Sequence, residues 1–279
     1  MSKLPSLIAL KLKLDGEVET SLPRPYLGMS QLGGPCRRAL WYYFRWCYTR
    51  TITQKQKRIF ARGDLEEARI IKDLTAAGIH FYSPQGMLIG FAGHCRGHTD
   101  GKVSNVPGFG EEILVAEFKT AKASSFDKFV KKGCKVANRQ YYCQSQTYMK
   151  HEKLTKTLFI VTNKDTEERY YEIIIFEPGL AEELDAISID VISTDIPPPK
   201  IGGPTWFECK WCDAYKVCHF NEPVIRNCRN CIRSVIKSEG VWGCTYFEKD
   251  LTLEEQAIDR KGHNCYIPLV DSTGVLDDS

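Results

Sequence analysis

The sequence predicts an α/β fold with a mixed central sheet flanked by helices. Helix-like and strand-like stretches alternate in the order helix, strands, helix, strands, helix. The strand-like stretches are short and separated by Gly and Pro. The composition, 43% hydrophobic and 26% charged over 279 residues, suits one sizeable core plus a small appendage.

Residues 1–34 are mixed, with Pro23, Pro25, Gly28, Gly33 and Gly34, and are expected to cover the surface ahead of Cys36. Residues 37–48 are basic and aromatic and read as a partly buried helix. Over 55–77, Ile59, Phe60, Leu65, Ala68, Ile70, Ile71 and Leu74 recur at helical spacing, and Gly78 ends the helix. Strands are predicted over 79–82, 87–91, 97–103 and 113–118. A helix follows over 138–151, strands over 157–162 and 170–176, and a helix over 179–193. Pro197, Pro198, Pro199, Gly202, Gly203 and Pro204 then break regular structure. No internal repeat is present. The predicted units are 1–222, the core, and 223–279, a segment with too few large apolar residues to fold without a structural metal.

Residues 1–25 show no signal-peptide pattern, and no apolar run approaches the roughly 18–20 residues that span a bilayer. The expectation is a soluble, cytoplasmic protein with no membrane partner. Net charge is +3, so affinity for a polyanion must come from local clustering. In a reducing compartment twelve cysteines point to metal rather than disulfides. Cys47, Cys95, Cys134 and Cys143 are scattered and read as buried thiols. Seven of the twelve lie between 209 and 265, and these carry the metal argument.

Asp100 falls at a strand–turn junction, and Glu117-Phe118-Lys119 near the end of the next strong strand. The period of two puts Glu117 and Lys119 on one face and Phe118 in the opposite layer. Two carboxylates at adjacent strand ends form a hard, oxygen-rich site suited to Mg²⁺ or Mn²⁺, and a lysine beside them can orient an attacking water. The spacing alone is weak, since Glu208-Cys209-Lys210 repeats it, and a surface salt bridge is the plain alternative. Gln144 and Tyr148 share a helix face at i and i+4, and Gly63 and Glu67 fall on the earlier helix.

With Gly63 to Glu67, Asp100, Glu117 with Lys119, and Gln144 with Tyr148 in this order, the chain resembles the PD-(D/E)XK nuclease superfamily in its RecB-like exonuclease branch. The resemblance covers about residues 36–220. It implies a restriction-endonuclease-like core in which Asp100 and Glu117 bind metal and Lys119 positions the nucleophilic water. Glu67 and the Phe118 carbonyl are implied as further ligands, and Gln144 and Tyr148 as orienting the lysine and contacting DNA. Relatives often carry histidine where Glu67 stands; glutamate is similar to the phage-type members.

Cys36 together with Cys209, Cys212 and Cys218 resembles the 4Fe–4S clamp of the CRISPR-adaptation nuclease family and the AddB helicase–nuclease subunit. Zinc on the same four thiolates is the alternative. Cys228, Cys231, Cys244 and Cys265 fit a four-cysteine zinc site, with His263 as a substitute for Cys265.

DNA contact is expected from Lys119, Lys122, Lys128, Lys131, Lys132, Lys135 and Arg139, with Phe126 and Phe129. Arg37, Arg38, Trp41 and Tyr42 are candidates for gripping strands. No base-reading motif is present, so little sequence specificity is expected. The resulting reading is a Mg²⁺/Mn²⁺-dependent DNA exonuclease acting on ends or single strands, in recombination, repair or phage DNA processing. The alternatives are a CRISPR-adaptation-like nuclease trimming DNA for an integration partner, and a non-catalytic DNA-binding scaffold.

Overall fold

The computed structural model describes residues 5–16, 18–260 and 263–269. Gly262, next to the candidate ligand His263, and residues 270–279 of the C-terminal unit lie outside the described residues.

The described helices are α1 (Pro5–Asp15), α2 (Arg37–Phe44), α3 (Gln54–Ala76), α4 (Ala123–Ala137), α5 (Arg139–Glu152), α6 (Pro178–Ser193), α7 (Tyr215–Phe220) and α8 (Leu253–Ala257). The strands are β1 (Val18–Ser21), β2 (Leu27–Gly28), β3 (Arg50–Thr53), β4 (His80–Tyr82), β5 (Gly86–Ile89), β6 (Cys95–Thr99), β7 (Gly101–Ser104), β8 (Leu114–Ala121), β9 (Lys156–Asn163), β10 (Arg169–Ile175), β11 (Ser234–Ile236), β12 (Trp242–Cys244) and β13 (Lys249–Leu251). The architecture is mixed α/β.

The central sheet has the order β10-β9-β8-β7-β4. Only β8 and β9 pair in parallel; the other neighbours are antiparallel. The parallel pair needs a crossover, which α4 and α5 supply. Alternation along β8 splits its side chains between two layers. Ala116 and Phe118 pack with Ile70 and Leu74 of α3. Val115 faces the other layer with Tyr148 and Met149 of α5. Glu117 and Lys119 share Val115's parity and so face α5. Asn138 caps α5, its side chain accepting from the Tyr141 N–H at 3.1 Å.

The structure departs from the sequence reading in three places. The single strand over 97–103 is two strands, β6 and β7, in different sheets, with Asp100 at the corner. The basic run after Lys119 folds into α4, kinked at Gly133 where φ is +71°. Residues 1–34, expected to cover the surface, form a helix over 5–15 and also enter the core, where Leu27, Met29 and Leu32 are buried. The spacing in α3 also overstates its apolar stripe. Ile70 and Leu74 are buried, but Ile59, Phe60 and Leu65 are 47%, 55% and 68% exposed. Ile59 and Phe60 instead face an open cleft that also reaches Glu67 and Asp100.

The segment after 222 is seated on the core. Trp242 of β12 is fully buried among Phe44, His94 and Arg45. The Arg229 guanidinium lies 3.9 Å from the Trp46 ring centroid and donates to the Pro25 carbonyl and Gln256 Oε1, both at 2.9 Å. Asn227 donates to the Trp46 carbonyl at 2.8 Å. Polar knobs thus supply the packing that this segment's sparse apolar residues do not. Cys47, Cys95, Cys134 and Cys143 are all buried, as expected. Among the described residues no helix is long and apolar enough to cross a membrane.

Candidate functional site

The site forms where β7 stops and β8 continues. Pairing between the two begins at Gly101 opposite Ala116, so β8 from Glu117 onward has no β7 residue beside it. Asp100 fills that place with its side chain: Oδ2 accepts the Phe118 N–H at 2.6 Å. The N–H and C=O of a strand residue point the same way, so the Phe118 carbonyl faces the same free edge.

Glu117 is fully buried. Its Oε1 accepts from Gln144 Nε2 at 2.7 Å and from Lys119 Nζ. Gln144 Nε2 also reaches the Tyr148 hydroxyl at 3.1 Å, which ties the i and i+4 residues of α5 into one network. Oε2 of Glu117 is buried with no hydrogen-bond partner. Tyr148 comes this close because Gly97 has no side chain; a Cβ there would stand 2.7 Å from the Tyr148 ring. The Lys119 ammonium lies 5.4 Å from the Tyr141 ring centroid.

Glu67 approaches from α3, half-buried, its Oε1 accepting from Gln85 Nε2 at 2.9 Å. Its neighbour Glu66 is engaged elsewhere, by Thr162 Oγ1 at 3.0 Å and by Arg169 at 3.4 Å. A cleft of about 570 Å³ opens over this edge, lined by Phe60, Gly63, Glu67, Asp100, Lys119 and Tyr141 among others.

Electrostatically the site is short of positive charge. Burial, then the like charge of Asp100, pushes the Glu117 carboxyl up to about 8. Burial also raises Asp100, against the opposing pull of Lys119 and the Phe118 N–H. Glu67 is raised by burial and then by Asp100. Burial would lower the pKa of Lys119, but the Glu117 and Asp100 carboxylates outweigh it and hold the ammonium above its ordinary value. Crowded carboxyls and an unpartnered, buried Glu117 Oε2 are what a divalent cation would relieve. The donor set therefore fits a hard metal ion.

Each predicted cysteine set is gathered at one cavity. Cys36, Cys209, Cys212 and Cys218 line a cavity of about 310 Å³ with Trp206, Tyr215 and His219. Cys228, Cys231, Cys244 and Cys265 line another of about 220 Å³, with Arg233 and Arg260. Burial pushes the Cys212 thiol up to about 11, with Cys36, Asp213 and Cys218 near enough to add to it. Burial raises Cys228 too, and Cys231 and Cys244 add to the shift. Even so, among the described residues no three His, Cys, Asp or Glu side chains converge as a ready-made metal cage, at the carboxylates or at either cysteine set. His263 is exposed and is not among the lining residues of the second cysteine cavity.

The expected DNA contacts divide. Lys122, Lys128, Lys131, Lys132, Lys135 and Arg139 are exposed. Lys135 is already held by both Glu177 carboxylate oxygens, at 2.7 and 2.9 Å. Phe126 and Phe129 are buried, because they form the apolar face of α4 against the sheet, and cannot stack on bases. Arg38, Trp41 and Tyr42 are buried too: Arg38 donates to the Pro198 carbonyl and the Tyr42 hydroxyl, and Trp41 to the Thr194 carbonyl. Of that group Arg37 alone is exposed. The aromatic stretch belongs to a core helix, and stacking of DNA on it is ruled out.

Sequence reasoning missed Gln85, Tyr141, Asp64 and Lys164 at the site. Tyr141 lies three residues before Gln144, one turn up the same face, and that spacing was a usable signal. Gln85 sits in a Pro–Gln–Gly turn and carried none.

No family model and no curated protein matches the chain. Among solved structures it is similar to an alkaline exonuclease (LHK-Exo) from Laribacter hongkongensis, with TM-score 0.43 and 15% identity over 60% of this chain and 86% of that one. The same exonuclease in complex with dAMP gives TM-score 0.44 and 15% identity over 60% and 86%. SSO0001 gives TM-score 0.44 and 16% identity over 70% and 86%. At that level of likeness the chemistry has to be read from this chain's own residues.

Proposed function

We propose that the chain is a divalent-metal-dependent DNA nuclease of the PD-(D/E)XK type, acting as an exonuclease with little sequence specificity. The observation that carries this reading is the meeting of Asp100, Glu117 and Lys119 at one free strand edge, beneath an open cleft.

Asp100, Glu117 and the Phe118 carbonyl would hold Mg²⁺ or Mn²⁺, with Glu67 reaching a further ion. Such an ion, when bound, polarises the phosphodiester and makes its water more acidic. The chain's own groups do the rest. Lys119 Nζ holds and orients the attacking water and balances charge on the phosphate oxygens as the phosphorus–water bond forms. The phosphorus–oxygen bond to the departing nucleotide breaks, and a proton lost by the water is matched by one gained at the leaving oxygen. Gln144, fixed by Tyr148, keeps Glu117 aimed. The exposed lysines of α4 and Arg139 would track phosphates.

The test is digestion of end-labelled linear DNA and covalently closed circles with Mn²⁺. Wild type should shorten the linear substrate and spare the circles, and Asp100→Asn should lose at least about a hundredfold in rate. Absence of Mn²⁺-stimulated cutting removes the nuclease reading. Cutting of circles makes the enzyme an endonuclease.

For the cysteine sets we infer a 4Fe–4S cluster on Cys36, Cys209, Cys212 and Cys218, and zinc on Cys228, Cys231, Cys244 and Cys265. Support comes from the donor chemistry and from the gathering of each set at one cavity. Cys36 lies about 170 residues from its partners, so the cluster would staple the chain's two ends across the core. Anaerobically purified protein should absorb broadly near about 400 nm and lose that band in Cys36→Ser. A colourless protein carrying two zinc ions per chain would reassign the first set to zinc.

A further inference from the structure

We propose that Gln85 is a positioning residue for the metal site, holding the Glu67 carboxylate beside Asp100; this rests on the reading of Glu67 as a metal ligand. The turn between β4 and β5 carries Ser83, Pro84 and Gln85. Ser83 and Gln85 are both in left-handed backbone, each at φ +53°, where residues other than glycine are uncommon. The strain is tied to contacts with two separate acidic positions. The Gln85 N–H donates to the Asp100 carbonyl at 3.3 Å, and its side-chain Nε2 donates to Glu67 Oε1 at 2.9 Å. Asp100 belongs to the β6–β7 corner and Glu67 to α3, so this one turn bridges the two elements that bring the acids together. A carboxylate with one oxygen pinned this way keeps the other free and aimed, as an outer-shell partner of a ligand does.

The contact lies at the surface and Gln85 is exposed, so substitution there leaves the core intact. Gln85→Ala removes the donor. Gln85→Asn tolerates left-handed backbone but is one methylene short of Glu67, which separates reach from backbone conformation.

The experiment is calorimetric titration of Mn²⁺ into full-length protein that keeps its cysteine-bound metals and is dialysed free of Mg²⁺ and Mn²⁺, with the heat lost in Asp100→Asn defining this site. It is paired with cleavage rates over a Mn²⁺ series. Gln85→Ala and Gln85→Asn should each weaken Mn²⁺ binding about tenfold. The Mn²⁺ needed for half-maximal cleavage should rise by the same factor, with the rate at saturating Mn²⁺ nearly unchanged. In a Glu67→Ala background Gln85→Ala should add nothing. An unchanged titration in Gln85→Ala, a full additive effect on top of Glu67→Ala, or a rate loss that excess Mn²⁺ does not restore overturns the proposal. Wild type that binds Mn²⁺ at this site and cuts no DNA refutes the nuclease reading and leaves the role of Gln85 standing. Wild type that binds no Mn²⁺ refutes both.

Discussion

Lys119→Ala should slow Mn²⁺-dependent cleavage by about a thousandfold, at the upper end for losing one transition-state donor. Lys119 has two tasks, and alanine performs neither. It holds the water, and it is the cation paired to the buried Glu117. Glu117 already sits near about 8 because burial, and then Asp100, disfavour its charge. Without Lys119 it moves higher still. The metal-free protein gives an independent reading. A carboxyl raised from its ordinary value of 4.5 to about 8 favours the folded state while protonated. That contribution is complete below 4.5 and is lost as pH rises through about 8. With EDTA present, wild type should therefore melt higher at pH 6 than at pH 9, and Lys119→Ala should shift the loss to higher pH. Added Mn²⁺ should reverse the trend, because the ion needs the carboxylate and not the acid. Full activity in Lys119→Ala would leave the proposed mechanism without its central residue.

Trp242→Ala should cost about 4 kcal/mol, read as a lower urea midpoint at unchanged slope. The indole is fully buried, with ring centroids 5.3 Å from Phe44 and 5.6 Å from His94. The guanidiniums of Arg45 and Arg229 lie 5.3 and 5.0 Å from it. Truncation opens a cavity and takes an aromatic face from two buried cations at once. Trp242→Phe restores most of the volume and should cost less than half as much. The effect should survive removal of metal from the protein, since it comes from packing against α2. A loss confined to the metal-loaded protein would mean that the segment is held by its cysteines instead.

Much of the site was legible because it depends on short-range periodicity. A step of two along β8 puts Glu117 and Lys119 on one face, and a step of four along α5 stacks Gln144 under Tyr148. Those relations hold in any extended strand or helix, whatever surrounds them. The grouping of cysteines was legible in the same way within the Cys209–Cys218 run. The exposure of the aromatics was not. Phe126, Phe129, Trp41 and Tyr42 lie beside basic residues in the sequence, and that mixture does not say which side of the helix meets the core. Ile59, Phe60 and Leu65 fail in the opposite sense, apolar by type yet exposed, and Ile59 and Phe60 line the cleft over the site.

By itself, then, the sequence determined the α/β class, the residue types at the site and the face each takes on its own element, since local backbone geometry sets all three. Tertiary structure decided what pairing rules within one element do not reach. It bent the chain at Asp100, so that a side chain takes the place of a ladder partner on β8. It brought Gln85 against Glu67, and Cys36 to the cavity of Cys209, Cys212 and Cys218. The reason is that such contacts join segments far apart in the chain, and their geometry is fixed only when the sheet and its helices pack as a whole.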